Sequence, residues 1–197
     1  MSEQIWISTD QAEDVAASVR HALRSFSYTA DDEQAWKWVI LALHGALQGA
    51  CVCHLVTTAE PVGAVTKNNA IEWLSFFERS RNDRQISPPK VQLMILPDLL
   101  KSVRKPHSAG DRSNAVGVSL TDAELVWLKR IHEDVRNQLV HFAPLGWSID
   151  VGGVPELAEL IARLINEISD LGWAFRHKDW EWRALLTGNL NLLGSMG

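Results

Sequence analysis

Three residues near the end of one amphipathic helix have side chains suited to phosphate chemistry: Arg136, Asn137 and His141. An arginine is a permanent cation that can neutralise a phosphate, and a histidine titrates near neutrality and can transfer protons. The asparagine amide can orient either group. Together these side chains could act on a phosphate without a metal ion. The run Phe142-Ala143-Pro144 follows at once, and its proline forbids further helix.

The spacing of the three residues restricts how they can cooperate. On an ideal helix Arg136 and His141 lie about 140° apart, whereas Asn137 and His141 share a face that Glu133 extends by one turn. Arg136 and His141 can meet if the helix loosens before its end, or if copies from two subunits meet across a two-fold axis. A purely structural interpretation stays open, in which Arg136 pairs with Glu133 or Asp134 and His141 caps the helix.

The pattern Arg-Asn-x-x-x-His at the end of a helix resembles the HEPN superfamily (higher eukaryotes and prokaryotes nucleotide-binding). Arg136, Asn137 and His141 occupy the three positions of its motif. The resemblance implies a dimer of helical bundles with both motifs lining one cleft. For active members it also implies metal-independent RNA cleavage through attack of the 2′-hydroxyl on the adjacent phosphate. Other members bind without cutting, so a non-catalytic module that binds nucleotide, RNA or a protein partner is the alternative function.

Other polar residues offer weaker candidates. His44 and Gln48 lie one turn apart on the second helix and, with Glu133, are candidate substrate-binding or supporting groups for the motif; satisfied core residues are the ordinary alternative. Cys51, Cys53 and His54 diverge on a helix and form no tetrahedral zinc set. We therefore expect no metal and no other cofactor.

Composition and charge limit the class of protein. Between residues 79 and 112 eight basic and three acidic residues give a charge of +5. Because the whole chain has a net charge of −5, the rest of the chain carries −10. A local basic face on an acidic protein permits a focused anion site and disfavours general polyanion binding. Cys51 and Cys53 are too divergent for a disulfide, and no secretory signal is visible after Met1. These features favour the cytoplasm.

Helical spacing dominates the chain. Ser8-Thr9-Asp10 can cap a first helix, Asp31 or Asp32 a second, and Thr121 to Glu124 form a capping box. Helices are predicted from Asp10 to Phe26, Glu33 to Thr57, Asn69 to Glu78, Ser87 to Val103 with a kink or end at Pro97, Thr121 to His141, Pro155 to Leu171, and in the Trp-rich segment after Trp173. Pro106–Ser119 is predicted to be a mobile loop, and Trp147–Val151 a brief extended piece.

The second helix is apolar on almost every side and long enough to span a bilayer. His44, Gln48 and His54 interrupt it, and Gly45 and Gly49 favour close packing against another helix, so a central core helix is preferred.

These patterns predict one all-α domain over residues 1–197, a bundle of five to seven helices with a polar, loop-rich insertion around residues 79–119. The resemblance implies that the bundle is HEPN-like and forms a homodimer. It also implies a metal-independent endoribonuclease or RNA-directed effector of the defence or toxin kind, with an antitoxin or other regulatory partner, and we expect no membrane.

Overall fold

The computed structural model describes residues 6–59, 61–141, 146 and 148–196. These residues form seven helices and no β-strand, so the predicted all-α class is confirmed. The helices are α1 (Gln11–Phe26), α2 (Ala35–Leu55), α3 (Lys67–Ser80), α4 (Leu96–Val103), α5 (Asp122–Arg130, continued through Ile131–Arg136 and Asn137–His141), α6 (Val154–Asp170) and α7 (Trp180–Gly194).

The first two helices pack closely along their length. Asp10 caps α1 as predicted, since its Oδ1 accepts a hydrogen bond of 2.8 Å from the backbone N–H of Glu13. A Cβ added to Gly49 would lie 2.8 Å from Cγ2 of Val15, and one added to Gly45 would lie 3.5 Å from Oγ of Ser18. The absence of a side chain at Gly49 therefore lets α1 approach α2, whereas a Cβ at Gly45 would make an ordinary contact.

Helix α2 is the centre of the core. It is long and apolar enough to cross a membrane, but 72% of its most apolar window is buried inside the protein. It packs against α1, α4, α5 and α6. Burial on several sides therefore accounts for the apolar character of this helix. It begins at Ala35 without a side-chain cap, although Asp32 Oδ1 accepts a hydrogen bond of 2.8 Å from the N–H of Gln34 just before it.

The helix predicted from Ser87 through Leu93 and Met94 is wrong. Residues 85–92 have no helical structure, Leu93 forms an isolated bridge with Val65, and the N–H of Gln92 donates to the buried Asn69 Oδ1 at 2.9 Å. These contacts hold the segment in an extended conformation. Pro88 and Pro89 favour the same conformation, because a proline disfavours helical backbone in the residue before it. Pro97 lies in the first turn of α4, so it starts a helix instead of kinking or ending one.

The segment Pro106–Ser119 is irregular, as predicted, but it is attached to the core at several points. The buried Asn114 accepts a hydrogen bond of 2.8 Å from the N–H of Ala109 and donates one of 2.9 Å to Val116 O. The N–H of Gly110 donates to His54 O at 2.9 Å. These hydrogen bonds are those of a packed connection and do not support the predicted mobile loop.

The last two helices complete the core. Helix α6 buries an apolar stripe that includes Leu157, Ile161 and Ile168, and it ends before Gly172, whose φ of +84° suits a residue without a side chain. Helix α7 packs on α6 and α1, which confirms the predicted helix in the Trp-rich segment.

Candidate functional site

The motif lies at the end of α5, a helix with three parts. Its start has the predicted capping box, with the Thr121 N–H donating to Glu124 Oε2 at 2.8 Å and the Glu124 N–H donating to Thr121 Oγ1 at 3.2 Å. Residues Ile131–Arg136 then form a π-helical turn, and α-helix resumes over Asn137–His141. The π turn ends at the first motif residue. Such turns are rare and are often found at functional sites.

The first two motif residues contact each other directly. Arg136 Nη1 donates a hydrogen bond of 3.0 Å to Asn137 Oδ1, and both residues are half-buried. Neither predicted acidic partner pairs with Arg136 within the described chain, because Glu133 pairs with Lys129 and Asp134 pairs with Arg130, each at 3.8 Å. The guanidinium is therefore fixed by a neutral amide, and its positive charge has no carboxylate partner in the described residues.

His141 is exposed and one α-helical turn beyond Asn137. The helix stays regular through His141, so loosening of the helix does not bring His141 round to Arg136 within the described residues. The Phe142–Pro144 stop lies outside those residues, as does Trp147 at the start of the predicted extended piece. The other route, in which copies of the motif from two subunits meet, stays a prediction.

Two buried histidines pack behind the motif. His44 Nε2 and His132 Nδ1 are 2.8 Å apart, and the two rings stack with centroids separated by 5.1 Å. His44 is on α2 and His132 is in the π turn, so this hydrogen bond joins the core helix to the motif helix. One nitrogen must donate and the other accept, which requires at least one of the rings to be neutral.

Burial and the nearby guanidinium keep both imidazoles neutral. Burial is the main cause that lowers the pKa of His44 to about 4, and the His132 and Arg136 charges lower it further. Burial also lowers the pKa of His132, followed by the charge of Arg136, whereas Glu133 opposes the shift. At neutral pH Arg136 is therefore the cation of this cluster.

The three candidate supporting residues, His44, Glu133 and Gln48, lie in different surroundings. His44 lies beside the motif helix as predicted, but its direct partner is His132. Glu133 is exposed and paired with Lys129, and it lies in the π turn that precedes Asn137. Gln48 is half-buried, and none of the hydrogen bonds recorded between described residues joins it to Arg136, Asn137 or His141.

His132 lies outside the Arg-Asn-x-x-x-His motif, so the motif alone does not single it out. The sequence does carry another signal for it. His44 and His132 each interrupt an otherwise apolar face, and buried polar groups need partners, so two such interruptions on neighbouring helices suggest a pair.

A cleft of about 870 Å³ opens beside the motif helix, between the start of α2 and a wall formed by Gly146, Ser148, Ile149 and Val151. Leu139 contributes to its wall, and Glu33, Gln34 and Lys37 supply polar groups. Its lining includes none of the three motif residues. The cleft of one chain therefore lies next to the motif without containing it.

The remaining metal candidates are buried. Burial raises the pKa of both the Cys51 and the Cys53 thiol to about 12, so both are protonated at neutral pH. Among the residues that the structure describes, no group of three or more His, Cys, Asp or Glu is arranged to hold a metal ion.

No protein-family model matches the chain, and no curated protein or solved structure is significantly similar to it.

Proposed function

We propose that the protein is a metal-independent endoribonuclease of HEPN type, active as a homodimer in which two copies of the motif share one cleft. The observation that carries the proposal is the hydrogen bond of 3.0 Å between Arg136 Nη1 and Asn137 Oδ1 at the end of the π turn. It fixes the guanidinium next to the helix face that also carries His141. A defence or toxin role in the cytoplasm, with an antitoxin or other regulatory partner, belongs to the same proposal.

Arg136 is the phosphate-binding group. Its charge is uncompensated by any carboxylate of the described chain, and the neutral His44–His132 pair behind it does not compete for an anion. A guanidinium can hold two phosphate oxygens at once and stabilise the charge that develops during the reaction. The half-buried position strengthens that attraction relative to a fully exposed arginine.

His141 transfers the protons. One copy removes the proton of the 2′-hydroxyl, whose oxygen attacks the adjacent phosphorus. The bond to the 5′-oxygen breaks, and the His141 of the second copy protonates that leaving oxygen. The products are a 2′,3′-cyclic phosphate and a 5′-hydroxyl. An exposed imidazole suits both steps, since its two ring nitrogens can accept one proton and donate another. Asn137 orients Arg136 through the observed hydrogen bond.

The test is incubation of purified protein with mixed RNA in EDTA, with mass spectrometry of the fragment ends. We expect fragments that end in 2′,3′-cyclic phosphate, and their loss in Arg136→Ala and His141→Ala. Arg24→Ala and His21→Ala are matched controls, because both side chains are exposed on α1. If folded Arg136→Ala and His141→Ala proteins with the parent's oligomeric state cleave as fast as the parent, the assignment is wrong.

The cleft beside the motif favours a second candidate, a non-catalytic module that binds nucleotide, RNA or a protein partner. Its volume of about 870 Å³ is that of a ligand site, and its lining omits Arg136, Asn137 and His141. Intact RNA in the EDTA assay, together with saturable binding that is weakened by Lys37→Ala but unchanged by His141→Ala, would favour this module over the enzyme.

A further inference from the structure

A second cavity, of about 500 Å³, lies at the opposite end of α2 from the motif. Five parts of the chain line it: the start of α1, the end of α2, Pro61 in the turn that follows α2, the extended residues around Val91, and residues 174–178, which follow α6. Small-molecule sites have this size and are built by convergent elements with an apolar lining and few polar groups.

The floor of this cavity is apolar. Val52, Cys53 and Val56 line it from α2 and Phe175 lines it from the opposite side, and all four are buried. Val91 and Leu93 form a wall and are themselves partly exposed. An aliphatic chain placed here would cover apolar surface that now faces solvent, which is favourable in proportion to the area covered.

The rim carries one cation that forms no ion pair within the described chain, although its charge helps to lower the pKa of the exposed Asp111 carboxyl. Lys178 Nζ is neutralised by Asp10 at 2.9 Å and Glu13 at 2.7 Å. Arg176 takes part in none of the ion pairs found among the described residues. Its guanidinium stacks over the Trp173 ring at 3.6 Å.

The stacked arginine is also held in place. The Trp173 indole N–H donates to Val56 O at 2.8 Å, so the ring under Arg176 is fixed to the end of α2. Arg176 Nη1 donates to Trp173 O at 3.3 Å, which leaves other N–H groups of the guanidinium for a ligand. A planar guanidinium with a fixed orientation matches a carboxylate in a bidentate manner.

We propose that this cavity binds an aliphatic carboxylate, with its chain on the floor formed by Val52, Cys53 and Phe175 and its carboxylate paired with Arg176. The site is separate from the motif and does not depend on RNA cleavage. The single unpaired cation at an apolar cavity selects a ligand with one anionic head and a hydrocarbon body.

Cys53 provides a reporter at the bottom of the cavity. The chain has two cysteines, and only Cys53 is among the cavity residues, whereas Cys51 is fully buried elsewhere on α2. Burial and the Asp10 carboxylate raise the thiol pKa of Cys53, and Arg176 opposes that shift, which agrees with both charges lying near the cavity. Labelling by a small methanethiosulfonate should therefore be slow but specific, and it should disappear in Cys53→Ala.

The experiment measures protection of Cys53 by decanoate, with equilibrium dialysis of radiolabelled decanoate as a second readout that needs no thiol reaction. We expect saturating decanoate to slow labelling about tenfold or more. Arg176→Gln should raise the half-protecting concentration about tenfold, since a charge-assisted pair is lost, and Arg176→Lys should restore part of the affinity. Decanol, which has no charge, should protect poorly.

Arg24→Gln is the matched control, an exposed arginine on α1 that is outside the cavity lining. It should bind decanoate as the parent does. The proposal is overturned if dialysis detects no bound decanoate, if Arg176→Gln and Arg24→Gln bind equally well, or if decanol protects Cys53 as well as decanoate.

Discussion

His44 Nε2 and His132 Nδ1 form a buried hydrogen bond of 2.8 Å between the central helix α2 and the π turn of α5. It is the polar contact by which the core helix holds the segment that carries Arg136. A wide helical turn places one more residue in each turn than an α-helix, and here that turn presents His132 to His44. The position of the proposed phosphate-binding arginine therefore depends on two imidazoles that remain neutral.

Acid should destabilise the protein between about pH 6.5 and pH 4. The pKa of His44 and that of His54 are both about 4 because of burial, and the pKa of His132 is also lowered. Over this range the unfolded chain binds more protons than the folded chain. The contribution of these histidines to the free energy of unfolding is therefore fully present above the unfolded pKa, and it is lost as the pH falls toward the folded pKa. His44 and His54 each account for about 3 kcal/mol. Urea unfolding followed by tryptophan fluorescence at several pH values measures this loss.

Substitutions separate the two histidines. His44→Gln should reduce the pH dependence while leaving the contribution of His54, whose Nε2 bonds to Ser108 Oγ at 2.9 Å. His21→Gln, at an exposed position on α1, should leave the whole profile unchanged. A stability that stays constant from pH 7 to pH 4.5 in the parent protein would contradict the neutral state assigned to the pair.

The His44–His132 bond should be visible as an energetic coupling. His44→Leu and His132→Leu should each destabilise the fold by about 1–3 kcal/mol, because each leaves a buried imidazole without its partner. The double variant should cost less than the sum, by about 1 kcal/mol or more. The measurement is a double-mutant cycle, in which the free energy of unfolding at pH 7.5 is determined for the parent, the two single variants and the double variant. Additive losses would show that the two rings are neighbours without an energetically significant bond.

Amphipathic spacing predicted most of the helices because burial on one face is a local property of the sequence. Val15 and Val19 on α1, like Leu157 and Ile161 on α6, recur at the helical period, and every one of them is buried. The capping residues Asp10 and Thr121 were recognisable for the same reason, since a cap bonds to residues three positions away.

The errors fall where distant residues decide the local structure. Pro88-Pro89 and Pro97 can each begin a helix, but only Pro97 does so. The segment after Pro88-Pro89 is held extended by Asn69, which accepts a hydrogen bond from the N–H of Gln92, 23 residues away in the sequence. The π turn contacts His44 through His132, which is 88 residues away in the sequence. The periodicity of one helix alone does not show either contact, and the His44–His132 pair emerges only when the polar interruptions of two helices are considered together.

The arginine of the motif should be sensitive to shape as well as charge. Arg136→Lys keeps the positive charge but removes the planar fork and the bond to Asn137 Oδ1. We expect single-turnover RNA cleavage to fall about 100-fold, the usual cost of losing an electrostatic contact to the reacting phosphate. Asn137→Ala should have a smaller effect, because the guanidinium remains and loses only its orientation. Full activity in Arg136→Lys would contradict the proposal that Arg136 holds the phosphate by two hydrogen bonds.

Two glycine substitutions should have opposite effects and test how firmly residues 106–119 are attached. A Cβ at Gly110 would overlap Val56 O and Trp173 Nε1, so Gly110→Ala must displace the backbone and disturb the Trp173–Val56 bond. We expect a loss of about 1–3 kcal/mol. Gly188 lies in α7 with nothing within 4 Å of such a Cβ, so Gly188→Ala should stabilise the protein by up to about 1 kcal/mol. Thermal unfolding compares both with the parent. A neutral Gly110→Ala would mean that this segment yields at little cost, as a mobile loop does.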